Sequence, residues 1–367
     1  MKSLKLYGNI LTPEGWRLGH LTLEGGRIVA LSGASIEPAL NHEAYILPGF
    51  IDLHVHGGGG ADVMEGGAAA QIMARLHAQY GTTSLLATTM TAPPAELAAI
   101  LARLAHEVQQ RAPGGARILG VHLEGPYINP GKLGAQPDAT ALAALDEILY
   151  YLTLAPIRVV TLAPELAGHL NIITHLAARG VRVQLGHTLG SYEDGVNALK
   201  HGASGFTHLF NAMTGLHHRA PGMVGAALAH AEYAELIPDL LHVHPGAIHT
   251  ALRAIPKLYC VTDSTAAAGM PDGAYPLGSQ TVTKCVNGVR LANGTLAGST
   301  LTMDQALRNL VSLGLPLAEA SHRLSRYAAD YLGLIQRGRL AVGAWADLVV
   351  LDRQLRVQAT YVEGQGI

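Results

Sequence analysis

Cysteine is scarce in this chain: its 367 residues include only Cys260 and Cys285. Two cysteines cannot build a disulfide framework or a Cys-rich zinc site, and such usage fits a reducing compartment. Charge is thin as well. Charged residues make up 14%, and Lys+Arg 25 against Asp+Glu 27 leaves a net charge of −2. No basic surface marks a partner such as nucleic acid or an anionic membrane. Long apolar runs are also missing. The start, MKSLKLYGNI, lacks the h-region of a signal peptide, and the weakly charged stretch 202–218 is interrupted by Gly, Thr, Asn and His. The expectation is a soluble cytoplasmic protein. Aromatics are few (Phe 3, Trp 2, Tyr 13), whereas His reaches 19 and hydrophobic residues 49%. That composition excludes a disordered chain and supplies a large core.

The length predicts two domains, or one large barrel with an appendage. Both ends read as β-rich. SLKLYGNILT, GHLTLEG and GRIVAL open the chain and GAWADLVVLDRQLRVQATYVEGQGI closes it, each punctuated by turn residues. Neither flank has enough apolar surface to fold alone, so residues 1–48 and 336–367 are expected to join in one small β-sandwich domain. Between them, residues 49–335 alternate buried-strand runs with amphipathic helices. The runs are FIDLHVH, TSLLATT, RILGVHLEG, IRVVTLAP, VRVQLGH, GFTHLF, LIPDLLHVH and LYCVTD; the helical patterns include residues 95–111, 139–152 and 165–180. Eight such runs predict an α/β fold of the TIM-like (β/α)8 barrel type.

Polar residues interrupt these runs at their C-terminal ends, the face where a barrel gathers its chemistry. His54 and His56 end the first, Glu124 the third, His187 the fifth, His208 the sixth, His242 and His244 the seventh and Asp263 the eighth. Such groups cost desolvation unless paired or bound to metal. His54 and His56 stand at i and i+2, so both rings share one strand face. For an isolated HxH, two histidines in a polar loop is the plainer reading; Asp52 nearby and the other clustered ligands reverse it. Glu124 with His187 and His208 has the composition of a hydrolytic metal site with an open position. The alternatives are a salt bridge for Glu124 and satisfied core roles for the histidines. Asp263 then suits a general base, against the plainer reading of a helix cap. Arg219, in the Gly/Pro-shaped loop HHRAPG, offers a guanidinium fork for phosphate, or is an ordinary surface arginine.

Taken in order, LPGFIDLHVHGG, HLEGPY, LGHT, THLFNAM, HVHP, VTD and LAGSTLTMD resemble the amidohydrolase superfamily. They are similar to N-acetylglucosamine-6-phosphate deacetylases, including the related N-acetylgalactosamine-6-phosphate deacetylases. THLFNAM followed by RAPGMVGAAL is the most specific pair, and the likeness extends to the terminal GAWADLVVLD. It implies a metal-dependent hydrolase barrel in which Glu124, His187 and His208 hold a divalent metal, zinc or iron. His54 and His56 would hold a second, with Glu124 bridging, so one or two ions per subunit are implied. Asp263 corresponds to the catalytic acid–base. Substrate contacts correspond to Asn211, Ala212, Arg219, His242 and the Ala297-Gly298-Ser299-Thr300 turn. Arg219 and His242 are of the kind drawn from a neighbouring subunit, which implies a homodimer binding a small amino sugar phosphate.

Two departures bear on the substrate. Gly134-Ala135-Gln136 stands where the family usually has Gly-Ala-His beside the acetyl carbonyl, and Gln136 donates a hydrogen bond without ever becoming cationic. Pro238-Asp239-Leu240-Leu241 precedes HVHP where a flexible Ala-Asp-Gly is usual. The expected reaction is deacetylation of N-acetylglucosamine-6-phosphate to glucosamine 6-phosphate and acetate. Its galactosamine epimer is the alternative substrate, towards which MTGLHH and AAGMPDGAY lean. Rivals are another amidohydrolase, disfavoured because IRVVTLAPE offers no bridging lysine, and a sugar-phosphate-binding relative without turnover.

Overall fold

The computed structural model describes residues 3–38, 41–286 and 288–367. Its centre is a set of parallel strands taken in chain order. Phe50–Val55, Thr82–Thr88, Arg117–Glu124, Ile157–Leu162, Arg182–Leu185 and Gly205–Phe206 form one curled six-stranded sheet. Tyr233–Leu236 and Lys257–Cys260 form a separate parallel pair. The seam between the sixth and seventh strands is bridged where Leu209 N–H donates to Glu235 O at 2.9 Å. The seam between the eighth and first is bridged by Asp263 N–H to His54 O at 2.9 Å and His56 N–H to Ser264 O at 2.8 Å. Eight strands thus surround one axis as a TIM-like barrel.

These segments are buried on both faces: every residue of Phe50–Val55 and Thr82–Thr88 is buried. Helices cover the outside, as a parallel sheet requires. The helix Pro94–Gln109 shows how. Proline occupies its first turn, where no amide proton is needed, and Leu97, Ile100, Leu101 and Leu104 are buried along one stripe. Each such leucine contributes about 2 kcal/mol of burial. The helix expected over 139–152 begins only at Leu145–Leu154.

The seventh strand departs from the sequence reading. LIPDLLHVH is not a strand; the ladder ends at Leu236, two residues before Pro238, which has no N–H to extend it. The chain then turns, with Leu240 at φ 65°, and His244 caps the helix Pro245–Ala254 by accepting from Gly246 N–H. The sixth strand shrinks to two residues. After the eighth strand the chain inserts an antiparallel ribbon, Gly273–Leu277, Gln280–Cys285 and Gly288–Arg290, which the sequence reading did not foresee.

The flanks do meet. Leu4–Thr12, Gly15–Glu24, Arg27–Ser35 and Tyr45–Pro48 share one seven-stranded sheet with Leu348–Leu351, Val357–Val362 and Gln365–Gly366. Tyr45–Pro48 pairs with both Leu4–Thr12 and Leu348–Leu351 and runs through Gly49 into the first barrel strand. A side chain at position 49 would collide with Thr83, whose Cγ2 lies 2.1 Å from where a Cβ would stand. A partly buried ionic cluster ties the C-terminal strands to the barrel. Glu363 accepts from Arg117 Nε and Nη2 at 2.9 and 2.8 Å and from Arg337 Nη2 at 2.7 Å, while Asp347 pairs with Arg337.

Candidate active site

Six side chains from five barrel strands converge at the C-terminal mouth: His54, His56, Glu124, His187, His208 and Asp263. Glu124 closes its strand; the others lie on it or one to three residues beyond. Three of them turn into the site on left-handed backbone, His187 at φ 48°, His208 at φ 27° and Asp263 at φ 51°. For non-glycine residues that costs about 1–3 kcal/mol each, a strain typical of functional sites.

Two donor clusters share Glu124. Its Oε1 lies 3.1 Å from His187 Nε2 and 3.2 Å from His208 Nε2, and those two nitrogens are 3.1 Å apart. Its Oε2 lies 3.2 Å from His56 Nε2. Asp263 Oδ1 lies 3.2 Å from His56 Nε2 and 3.4 Å from His54 Nε2, and the two rings' Nε2 atoms are 3.2 Å apart. Ligands about 2.0–2.1 Å from a tetrahedral zinc stand about 3.3 Å from one another, so both triads have the spacing of a metal's donors. The rings are aimed by their far nitrogens. His187 Nδ1 donates to Lys132 O at 2.8 Å and His56 Nδ1 to Thr88 O at 3.2 Å, which turns each Nε2 lone pair inward.

The electrostatics ask for positive charge. Burial works to neutralise Glu124 and Asp263, yet the surrounding imidazoles, His54 foremost, hold Glu124 well below the usual range and Asp263 at about 2. Burial likewise opposes charge on His54 and His56, but the carboxylates carry His54 well above its usual value and His56 to about 9. Protons thus balance the acids where a divalent cation would do so more compactly. The donors fit a metal: imidazole and carboxylate together, close and buried.

Two further members escaped the sequence reading. Glu235, on the seventh strand, is fully buried with Oε2 2.9 Å from His54 Nδ1. His122 packs edge-on against His54 with ring centroids 4.6 Å apart, and burial pushes it down to about 3. A signal existed for both. His122 stands at i, i+2 to Glu124, hence on the same strand face, and Glu235 is an acid directly before an apolar Leu-Ile.

Above the clusters opens a cavity of about 390 Å³. Of the residues singled out in the sequence, His56, Glu124, Ala135, Gln136, His187, His208, Asn211, Ala212, His242, Asp263 and Gly298 line it. Lys132, Leu277, Thr295 and Leu296 line it too, the last three from the ribbon and the segment after it. His54 lies beneath the floor. Ala297 is buried in an apolar cluster with Met90 and Val289. Ser299 and Thr300 face an adjoining cavity of about 260 Å³, which His242 and Gly298 also border. His242 therefore belongs to this chain's own cavity. It pairs with Asp239 at 2.7 Å, and although burial opposes it, that carboxylate raises its pKa. His244 takes no part, as the cap of its helix. Arg219 is exposed on its loop, 2.7 Å from His218 Nε2, and lines neither cavity.

Gln136 is pinned at both ends. Its Oε1 accepts from Thr91 N–H at 2.7 Å and its Nε2 donates to Glu124 Oε2 at 2.6 Å. An amide proton can face only the oxygen and a carboxylate only the NH2, so the orientation is fixed by its partners.

Comparisons with known proteins agree with this geometry. Residues 45–366 match the model of the amidohydrolase family. The chain is 41% identical over 366 residues to the N-acetylgalactosamine-6-phosphate deacetylase of Escherichia coli O157:H7, covering 97% of each. It is 40% identical over 329 residues to the N-acetylglucosamine-6-phosphate deacetylase of Vibrio furnissii, covering 87% of this chain and 82% of that one. Among solved structures, a variant of the Mycobacterium smegmatis N-acetyl-D-glucosamine-6-phosphate deacetylase in complex with N-acetyl-D-glucosamine-6-phosphate superposes with a TM-score of 0.91. That pair shares 34% identity and covers 100% of this chain and 99% of the other. The chain belongs to the amidohydrolase family, alongside its N-acetylhexosamine-6-phosphate deacetylases.

Proposed function

We propose that this hydrolase removes the acetyl group from an N-acetylhexosamine 6-phosphate, converting N-acetylglucosamine-6-phosphate to glucosamine 6-phosphate and acetate. The observation that carries the reading is the convergence of Glu124, His187 and His208, with donor atoms 3.1–3.2 Å apart, beside Asp263 in the cavity. The names of the relatives supply the substrate class. A second reading has support of its own. The Escherichia coli relative, matched along 97% of both chains, is named for the galactosamine epimer.

Glu124, His187 and His208 would hold the first cation, and His54, His56 and Asp263 with Glu124 the second. Zinc suits this mixture of nitrogen and oxygen donors, with iron the alternative. Such a cation, when bound, polarises an acyl carbonyl and lowers the pKa of water from about 15.7 to about 7. The Asp263 carboxylate, ionised because it is held at about 2, accepts the proton from water as the new C–O bond forms. It returns that proton to the amine nitrogen as the C–N bond breaks. Asn211, Ala212, His242 and Gly298 shape the wall against which the sugar lies, with Ala135 and Gln136 beside the acetyl group and Ala297, Ser299 and Thr300 behind Gly298. The apolar Leu277 and Leu296 displace water from the reacting bond. Arg219, outside its own cavity, serves the phosphate of a substrate held by a second copy, so the active unit is a homodimer. We place the enzyme in the cytoplasm, in line with two unpaired cysteines, Cys260 and Cys285; no helix among the described residues is long and apolar enough to cross a membrane.

The test is acetate release from both C4 epimers, phosphorylated and not, by protein of measured metal content. Turnover of a 6-phosphate sugar supports the proposal, and the faster epimer names the substrate. Turnover of unphosphorylated sugars alone, or of neither epimer by metal-loaded protein, overturns it.

A further inference from the structure

Beneath the cavity floor lies an acid that the proposed hydrolysis does not use. Glu235 sits inside the seventh barrel strand, Tyr233–Leu236, and is fully buried. Its Oε2 lies 2.9 Å from His54 Nδ1 and accepts from His208 N–H at 3.2 Å. Its Oε1 is 3.4 Å from the Tyr259 hydroxyl. One carboxylate therefore touches a member of each donor cluster: the side chain of His54 and the backbone of His208.

An ionised carboxylate only accepts hydrogen bonds, so in the neutral ring that a metal ligand must be, the His54 proton sits on Nδ1. The bare Nε2 then points at His56 Nε2, Asp263 Oδ1 and Glu124 Oε1, which lie 3.2, 3.4 and 3.5 Å away. With the other tautomer, the Nδ1 lone pair would face the Glu235 oxygen, and a proton would block the position between His56 and Asp263. His56 and His187 are oriented by neutral backbone carbonyls, whereas His54 has a charged partner. A charged acceptor makes imidazole the stronger donor to a metal. His122 cannot displace His54 from Glu235, because its own nitrogens are engaged by Leu53 O at 3.1 Å and Thr161 Oγ1 at 2.7 Å.

We propose that Glu235 is the positioning residue of the second cation site: it fixes His54 with Nε2 bare and inward, and thereby sets the affinity of the His54–His56–Asp263 cluster for its ion. The proposal rests on the metal-dependent reading above. Co2+ binding to the full-length, metal-stripped protein tests it, with stoichiometry from native mass spectrometry and site occupancy from the visible absorption of Co2+. The parent is expected to take two Co2+ per chain. Outer partners of metal ligands are worth about 10- to 100-fold in affinity. Glu235→Leu should weaken the second ion near the upper end of that range. Glu235→Gln keeps an acceptor but not its charge and should stay near the lower end, while the first ion keeps its parental affinity and spectrum in both. A parental second-ion affinity in Glu235→Gln, a first ion weakened as much as the second, or a parent that binds one ion only would each overturn the assignment. Acetate is not measured. A protein that binds both ions as expected yet deacetylates neither sugar would end the functional reading and leave the role of Glu235 standing.

Discussion

Gln136 lines the cavity beside Glu124, and its bonds decide what it does. Both ends of its amide are engaged inside the protein, by Thr91 N–H at 2.7 Å and Glu124 Oε2 at 2.6 Å. All three residues are buried. Gln136→Met keeps nearly the same volume and removes both bonds. The Thr91 amide loses its acceptor, at about 1–3 kcal/mol, and Glu124 loses a charge-assisted bond worth about 1.5–3 kcal/mol. Water from the active-site cavity that Gln136 lines recovers part of both, so the expected loss of folding stability is about 2–4 kcal/mol. Glu124 is also freed to rotate, so metal affinity falls about tenfold, and kcat falls with it until metal is supplied in excess.

Denaturant unfolding, metal titration and acetate release on one preparation separate this role from its rival. If Gln136 instead donates to the developing oxyanion, its removal lowers kcat about 10²–10³-fold, as for other such donors. Neither stability nor metal affinity would then change. A Gln136→Met protein of parental stability and metal affinity, with kcat reduced on that scale, would refute the argument from its hydrogen bonds.

Asp263→Asn should lower kcat about 10²–10⁴-fold while the ion at Glu124, His187 and His208 remains bound by metal analysis; near-parental turnover would remove Asp263 from its role. Exhaustive chelation should abolish acetate release and a divalent ion restore it, and full activity after metal removal would sink the mechanism. Glu363 carries a pH prediction. Burial works to raise its pKa, but Arg117 and Arg337 hold it at about 2 against an ordinary 4.5. Its contribution is therefore complete above pH 4.5 and lost as pH falls towards 2. Glu363 is half buried and solvent screens its pairs, so Glu363→Gln should cost about 1–2 kcal/mol near neutrality, and that gap should close on acidification in a denaturation series. A gap that persists undiminished to the acid end would contradict it.

The barrel and the six side chains of the two donor clusters were legible because parallel barrel strands are buried on both faces. Their sequences are continuous apolar runs, and a polar residue within or just after one stands out. His54, His56, Glu124, His187, His208 and Asp263 all surfaced in this way. The same logic misled at the seventh strand. LIPDLLHVH looks like a strand ending in two histidines, but Pro238 stops the ladder and sends the chain through Leu240 in a left-handed turn. The true strand, Tyr233–Leu236, lies upstream, and its acid went unnoticed because Glu232 and Glu235, three apart among helix-like residues, read as one solvated face. The ribbon over the mouth was invisible for a different reason. Its strands are half exposed, as in Gln280–Cys285, so no buried run betrays them.

The seam between the eighth and first strands makes barrel closure and site assembly one event. The ladder of Lys257–Cys260 pairs with the seventh strand, and its continuation meets the first only through isolated backbone bonds such as Asp263 N–H to His54 O. The Asp52 side chain reinforces that seam. Its Oδ2 accepts from the Thr262 hydroxyl at 2.6 Å, and its Oδ1 from Thr262 N–H at 3.2 Å and His54 N–H at 3.3 Å. Thr262 precedes Asp263 by one residue and Asp52 precedes His54 by two, so this latch sets the distance between His54 and Asp263. Asp52→Leu orphans two buried amides at about 1–3 kcal/mol each and should cost about 3–5 kcal/mol once the hydroxyl bond is included. Second-ion binding should fall in the same variant. Asp52→Asn, whose carbonyl still accepts from both amides, should recover most of each loss together. Stability restored without the second ion, or the ion without stability, would show that closing the barrel and building the site are separate steps.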